Sequence, residues 1–171
     1  YRAFADLDNA LKQFTDLEKN DKQHDIRFAS AIKTLDIMIA QGDLENAIKA
    51  VELLENKYRR KGDNLNLKIK KLQIYFYIGE FDYVNEKIEK MIQEINKEHW
   101  AYNDILDIYS IILAFNKDED GLKLFSNSQH KIKQNKKYEA IEILKSMFNH
   151  ENVFVSDLVK YHCAYLYKEF N

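Results

Sequence analysis

The stretch ADLDNALKQFTDLE at residues 5–18 recurs at residues 42–55 as GDLENAIKAVELLE, an offset of 37 residues. Both copies keep Asp, Leu, an acid, Asn, Ala, an aliphatic residue and Lys in register. A period of about 20–50 residues in a helix-rich chain is typical of a solenoid, in which each unit buries its apolar face against its neighbours. Repeats of this kind usually bind other proteins, so the stretch predicts an architecture and a class of function together.

The composition favours helices and argues against two classes of partner. The 171 residues include no Pro and only four Gly, so few positions break a helix. A net charge of −2 gives no overall attraction to nucleic acid or to an anionic membrane. No apolar run approaches the roughly 18 residues of a membrane span. We therefore expect protein or peptide partners, no nucleic acid and no membrane insertion.

The compartment stays open at this stage. The single cysteine, Cys163, excludes an intramolecular disulfide and is compatible with the cytoplasm. The first residue is Tyr rather than Met. If that start reflects processing, the cell envelope or the outside of the cell is the alternative.

Basic residues cluster at residues 57–61 and at residues 131–137. Positive charge at a helix C-terminus complements the helix macrodipole, and this is the interpretation we favour for both clusters. A patch that binds phosphate or another polyanion is the alternative.

Apolar residues recur at helical spacing along nearly the whole chain, with breaks every 12–20 residues. The breaks contain Gly, Asn and Asp, which favour turns and helix caps. Connections of two to five residues make consecutive helices antiparallel neighbours. The pattern predicts nine helices, at 2–19, 24–41, 44–60, 65–78, 81–97, 100–115, 121–134, 138–149 and 153–170.

The residues at these breaks resemble the turn of the tetratricopeptide repeat, which reads Gly-x-aromatic/Leu-x-x-Ala between two helices. GDLENA at residues 42–47 and GEFDYV at residues 79–84 fit it. ADLDNA at residues 5–10 has Ala in place of Gly, and KKYEA at residues 136–140 is a looser copy whose turn is one residue short. The resemblance implies an all-α, right-handed superhelical α-solenoid of antiparallel helix pairs, from a bacterial protein.

The small residues of the four turns predict the packing and one irregularity. Ala10, Ala47, Val84 and Ala140 let the second helix of each pair approach the first, so the first three should be buried at helix contacts, together with Leu54 and Ile88. The last step is longer than the others by one helix and its turn. The surplus helix is expected at 100–115, and since it is apolar on nearly every side it should be buried.

The two ends predict how the array is cut. Residues 1–5 read as the end of a first helix, followed by a second helix at 7–18, and residues 153–170 read as a first helix that reaches its turn. We therefore expect one continuous array over residues 1–171 that starts and ends in mid-repeat.

No residue pattern indicates catalysis. The five His residues form no metal-ligand pair with another His or with Cys, and Gly-rich phosphate loops and nucleophile elbows are missing from the sequence. Cys163 occupies a position where the repeat packs a small apolar residue, so we expect a buried, inert thiol rather than a nucleophile or a ligand. We expect no enzyme activity, no cofactor and no metal site.

The resemblance implies a groove for a peptide or protein, lined by the inner faces of the first helices. Mapped onto this chain, the groove contains Asp36, Asn66, Ile69, Gln73, Phe76 and Tyr77. Ordinary packing between helices is the alternative for the aromatic run at residues 75–77.

The apolar ends predict a second binding surface. Leu7, Leu11 and Phe14 at one end, and Tyr161, Tyr165 and Phe170 at the other, are too apolar for capping helices. The two half-repeats would complete each other if copies of the chain associate head to tail. That contact would bury Tyr165, Tyr167 and Phe170 against Leu7, Leu11 and Phe14.

Two functions therefore remain open. The first is a non-catalytic scaffold for protein interaction and assembly, including a head-to-tail filament segment. The second is a peptide-binding regulatory module of a bacterial signalling receptor.

Overall fold

A computed structural model describes residues 2–99, 101–115 and 118–168, with side chains from residue 6 onward. These residues form nine α-helices and no strand, which confirms the all-α class and the helix count. The helices are α1 (Arg2–Asn20), α2 (His24–Gln41), α3 (Leu44–Lys57), α4 (Lys61–Ile78), α5 (Phe81–Glu94), α6 (Tyr102–Phe115), α7 (Glu119–Lys133), α8 (Lys137–Ser146) and α9 (Val153–Lys168).

Three of the turns share one backbone geometry. Gly42, Gly79 and Asn135 adopt a left-handed conformation, with φ of 86°, 93° and 59°. In each turn the next N–H donates to the carbonyl five residues earlier, at 2.9, 3.0 and 2.8 Å, which is the hydrogen bond of a Schellman cap. The third turn is therefore complete, and the expectation that it is one residue short was wrong. Asn135 occupies the glycine position because Asn tolerates the left-handed region better than most residues do.

The residue five positions after each left-handed residue is fully buried. Ala47, Val84 and Ala140 are each 0 % exposed. Ile88 is also 0 % exposed, so the predicted burial of Ala47, Val84 and Ile88 is confirmed. Leu54, in the last turn of α3, is only half-buried, and its predicted burial is wrong.

The expected turn at residues 5–10 does not form. α1 is one continuous helix through these residues, so no turn joins two helices there. Ala10 is only half-buried, and its predicted burial is wrong. The difference follows from Ala replacing Gly. Alanine has the highest helix propensity and resists the left-handed conformation that a Schellman cap needs.

The surplus helix is present as α6, but it is not buried on every side. Ile105, Ile112 and Phe115 are buried, whereas Leu113 is 57 % exposed. The predicted burial of the whole helix was therefore wrong for its outer face. Trp100, which we expected in this helix, lies outside the described residues.

The chain divides into two compact units, Tyr1–Ile74 and Tyr75–Asn171. In the first unit α1 packs against α2, and α2 packs against α3. The side-chain amide of Gln41 donates to Asp8 at 2.7 Å. This bond joins the end of α2 to the start of α1, so the two helices are antiparallel.

In the second unit α5, α6, α7, α8 and α9 pack in chain order, and α6 also contacts α9. The ring of Phe125 in α7 meets His162 in α9 edge to face, with centroids 5.3 Å apart. Each unit thus consists of consecutively packed helices, an arrangement compatible with a helical repeat.

Candidate binding surfaces

Three of the predicted groove residues have polar side chains and lie in the first unit: Asp36, Asn66 and Gln73. Asp36 in α2 pairs with Lys70 in α4 at 2.6 Å. Lys70 also donates to the side-chain carbonyl of Gln73 at 3.3 Å. Lys70 thus links two predicted residues, and the sequence reasoning missed it, although its three-residue spacing from Gln73 places both on one helix face. The side-chain oxygen of Asn66 is buried and accepts no hydrogen bond.

Two other predicted groove residues are covered by the chain itself. Ile69 is 1 % exposed in the first unit and Phe76 is 3 % exposed in the second. Phe76 packs edge to face on Phe81 across the Gly79 turn, with centroids 5.8 Å apart. These side chains stabilise the core and have almost no surface left for a partner.

Tyr77, the last predicted groove residue, lies on a groove in the second unit. The groove runs between the last turn of α4 and α7 and encloses about 590 Å³. The hydroxyl of Ser126 donates to the carbonyl of Phe76 and holds the two helices together. Tyr77 stacks on His130 with the rings 5.3 Å apart. The lining residues are Tyr77, Ile78, Gly79, Asp120, Lys123, Leu124, Ser126 and Asn127.

The rim of this α4–α7 groove is acidic. Lys123 pairs with Glu119 at 2.6 Å. The hydrogen bond and charge of Glu119 raise the pKa of the Lys123 ammonium, and the carboxylates of Asp120 and Glu80 raise it further. A smaller adjoining cleft of about 410 Å³ is lined by Glu80 and Glu119, together with Asp82.

The outer face of α9 exposes large apolar side chains. Phe154 is 58 %, Tyr161 68 % and Tyr165 56 % exposed, and Leu158 between them is half-buried. Their steps of four, three and four residues place all four on one narrow stripe of the helix. We call these four residues the α9 seam. The sequence reasoning included Tyr161 and Tyr165, and the same spacing would have found Phe154 and Leu158.

The inner face of α9 is satisfied within the chain. Val155, Val159, Cys163 and Leu166 are each at most 2 % exposed. Tyr167, which the sequence placed on the assembly surface, lies about 150° around the helix from the seam and is 44 % exposed. The ammonium of Lys145 in α8 lies 5.7 Å from its ring centroid. The helix therefore has a core face and a separate outer face.

The other predicted assembly residues lie on α1. Leu7, Leu11 and Phe14 are half-buried in the first unit, on the helix that packs against α2. They thus retain less open surface than the α9 seam does. Phe170, the last of the predicted set, lies outside the described residues.

Cys163 has the environment of a structural thiol. It is 2 % exposed, and burial raises the pKa of its thiol above the ordinary value. A thiol held in its protonated form is a poor nucleophile. Within residues 6–99, 101–115 and 118–168, no group of three or more His, Cys, Asp or Glu side chains is placed to hold a metal ion.

Over the described part of the chain, every helix is too short or too polar to cross a lipid bilayer.

The fold class that these residues define is an all-α protein of consecutively packed helices. Comparison with known proteins adds no relative: no protein-family model, no curated protein and no solved structure gives a significant match. The resemblance to the tetratricopeptide repeat therefore rests on the residues of the turns.

Proposed function

We propose that this chain is a non-catalytic assembly scaffold of the tetratricopeptide-repeat type, which acts by binding other protein chains, including copies of itself. The repeat assignment is supported by three turns that share a left-handed residue and a buried small residue five positions later. The burial of Cys163 raises the pKa of its thiol and makes this residue a poor candidate for a nucleophile.

The observation that best supports binding is the α9 seam. Three of its four side chains are more than half exposed, on a helix whose opposite face is fully buried. Leaving large apolar side chains in water gives up roughly 1.5–3 kcal/mol per residue that burial would return. Contiguous exposed apolar surface of this kind marks interaction sites in soluble proteins.

A head-to-tail contact is one arrangement of the scaffold. It places Tyr165 and Tyr167 of one copy against Leu7, Leu11 and Phe14 of the next, and repeated contacts of this type build an open filament or a ring. The half-buried state of the three α1 residues limits the area that this contact can bury.

Sedimentation velocity over a wide range of protein concentration tests the proposal. The parent chain should associate as concentration rises, and Tyr161→Glu should remain a monomer because it places a charge in the centre of the seam. The circular dichroism spectrum and melting temperature of the variant should match those of the parent.

Leu53→Glu is the matched control, since Leu53 is 71 % exposed on α3 in the first unit. It should associate as the parent does. A parent chain that stays monomeric up to millimolar concentration would refute assembly through this surface.

The α4–α7 groove supports a second function, the binding of a peptide by a regulatory module. Ile78 and Leu124 are each 42 % exposed in a groove with an acidic rim. Apolar walls with few polar groups are typical of ligand sites. An extended peptide that carries an apolar residue beside Lys or Arg would match both features.

Fluorescence anisotropy with labelled peptides tests this second function. A peptide that alternates Leu and Lys should bind, and one that alternates Leu and Glu should not. Leu124→Glu should weaken the first interaction by at least about tenfold, while Leu113→Glu on the outer face of α6 leaves it unchanged. Equal binding of both peptides would exclude the acidic rim as the determinant.

A further inference from the structure

The α9 seam belongs to a longer pattern that reads the same in both directions. Adding one exposed residue at each end gives steps of three, four, three, four and three residues. These steps are the a and d positions of a heptad pattern, the spacing at which two helices pack along a narrow contact. The six residues are Glu151, Phe154, Leu158, Tyr161, Tyr165 and Lys168.

A pattern of this symmetry can pair with itself. When two copies of α9 lie antiparallel about a twofold axis between residues 159 and 160, Phe154 faces Tyr165 of the second copy. Leu158 then faces Tyr161 of the second copy. Every apolar residue of the stripe meets an apolar residue, as an isologous contact requires.

The charges at the two ends are complementary in the same register. Glu151 of one copy faces Lys168 of the other, and the twofold axis repeats this pair at the opposite end. Both side chains are exposed, and within the described residues neither has an ion-pair partner. The apolar stripe would therefore end in an ion pair on each side.

The turn that carries Glu151 is fixed relative to α9. The side-chain oxygen of Asn152 accepts the N–H of Phe154 at 3.0 Å. Its amide donates to the carbonyl of Ala114 in α6 at 2.8 Å. Glu151 therefore has a defined position at the start of the helix, although it precedes the first helical residue.

The charges beside the stripe are compensated within each copy. Asp157 and Lys160 are exposed and lie 3.9 Å apart in the same helix. Lys160 lies about 130° around the helix from the stripe, so it points away from the second copy. The pair therefore leaves no uncompensated charge beside the contact.

We propose that two copies of this chain associate through an antiparallel, twofold α9–α9 contact, in the register that opposes Phe154 to Tyr165 and Glu151 to Lys168. This inference rests on the proposed role in assembly and specifies the partner and its orientation. The contact closes on itself, so it produces a dimer, whereas a head-to-tail contact between unlike ends continues into a filament or a ring.

The length of α9 limits the area of the contact and therefore its expected affinity. α9 has 16 residues, so the paired faces bury an area at or below the low end of the ~1,200–2,000 Å² of a standard interface. Interfaces at that end are typically transient. We expect micromolar dissociation constants, and the measurements must extend well above that concentration.

Charge reversal tests the register. Glu151→Lys and Lys168→Glu should each weaken dimerisation by about tenfold, because like charges then face each other at both ends. The double variant Glu151→Lys/Lys168→Glu should recover the parent dimerisation constant in sedimentation equilibrium. Glu142→Lys, at an exposed position on α8, is the control and should leave the constant unchanged.

Cross-linking gives a readout that does not depend on affinity. Chains with Phe154→Cys and chains with Tyr165→Cys are mixed and treated with a short bis-maleimide. The mixture should form a covalent dimer and neither variant alone should, since like positions lie about 16 Å apart along the axis in this register. Cys163 is 2 % exposed and does not compete for the reagent.

The outcomes separate this inference from the scaffold on which it rests. A dimer that the double reversal restores, with cross-links only in the mixture, supports the twofold contact. Open-ended growth with concentration, or cross-linking of Tyr165→Cys to Leu11→Cys, overturns it and leaves a head-to-tail scaffold. A parent chain that remains monomeric overturns both.

Discussion

Two sets of apolar helix residues in this molecule have opposite surroundings. Ala47, Val84 and Ala140 are completely buried, whereas Phe154 and Tyr161 on α9 are more than half exposed. The buried set consists of small residues at a fixed distance from a left-handed turn, and the exposed set of large residues far from any such turn. The small residue five positions after the left-handed residue thus stabilises the chain, whereas the large residues on the outer face of α9 remain exposed.

The difference has a geometric cause. A Schellman turn brings two helices together a fixed number of residues later, and only a small side chain allows close contact there. An aromatic side chain at such a position would separate the helices. The outer face of α9 is exposed over the described residues, so large aromatic groups fit there and would supply contact area for a partner.

The largest effect is expected at the buried set. Ala47→Glu should lower the free energy of unfolding by roughly 3–5 kcal/mol, because it buries an unpaired carboxylate where two helices meet. Chemical denaturation of the variant measures this loss. Lys49→Glu, two residues along the same helix and exposed, should change stability by less than about 0.5 kcal/mol. An equal loss of unfolding free energy in Ala47→Glu and Lys49→Glu would contradict the distinction between the buried and the exposed set.

A glycine pair tests how closely the second unit is packed. In Gly121→Ala the new Cβ would overlap the Asp118 carboxylate and lie 3.1 Å from Phe115. We expect a loss of roughly 1–3 kcal/mol, although alanine has the higher helix propensity. Gly62→Ala has open space around its Cβ and should be neutral or stabilising. The melting temperatures of both variants test this prediction. A Gly121→Ala variant that is more stable than the parent would contradict the close contact with Asp118 and Phe115.

The cap of α7 should give a smaller loss that depends on pH. Asp118 accepts the N–H of Gly121 at 3.0 Å and bonds His150 at 2.7 Å. The bond to His150, followed by the bond from Gly121, lowers the pKa of Asp118 below its ordinary value of 3.8. This contribution to stability is therefore present above pH 3.8 and is lost as pH falls through the folded pKa.

Asp118→Ala should cost about 0.5–2 kcal/mol at neutral pH, and its stability should fall less steeply in acid than that of the parent. Urea titrations at several pH values measure both. If the stability of Asp118→Ala and that of the parent fall equally steeply in acid, the ionisation of the Asp118 carboxylate is not linked to folding.

The smallest effect is expected at the end of α3. Burial, and then a hydrogen bond to Glu18 at 3.0 Å, raise the pKa of the Tyr58 hydroxyl to about 12. The contribution is present below pH 10.0 and is lost as pH rises towards the folded pKa. Tyr58→Phe should cost about 1 kcal/mol at neutral pH and should flatten the loss of stability in alkali. If Tyr58→Phe loses stability in alkali as steeply as the parent does, other titrating groups cause that loss of stability.

The local turn chemistry made most of the fold predictable. The residues Gly42 and Gly79 predicted two left-handed turns between helices, and both form with the expected buried residue. The prediction of a turn at residues 5–10 was wrong because Ala replaces Gly there. This one difference removes the turn, although the rest of the motif is kept. The sequence reasoning placed a break at Asn135 but began the repeat motif one residue later, at Lys136, because it sought glycine in the left-handed position.

The candidate sites were less predictable than the fold. Spacing along one helix places Phe76 on a face with Gln73 and Tyr77, but only the packing across the Gly79 turn shows that Phe76 is buried. The exposure of Phe154 also depends on which side of α9 meets α7 and α8. Those are tertiary contacts that a helical period alone does not specify.

The central claim is that the outer face of α9 serves contact between chains while its inner face serves the fold. The most direct test measures unfolding and association together for Tyr161→Glu, with Val159→Glu from the buried face of the same helix as its counterpart. Tyr161→Glu should keep the parent unfolding free energy within about 0.5 kcal/mol and abolish association, whereas Val159→Glu should unfold the second unit. A Tyr161→Glu chain that associates like the parent, or one that unfolds, would contradict the account.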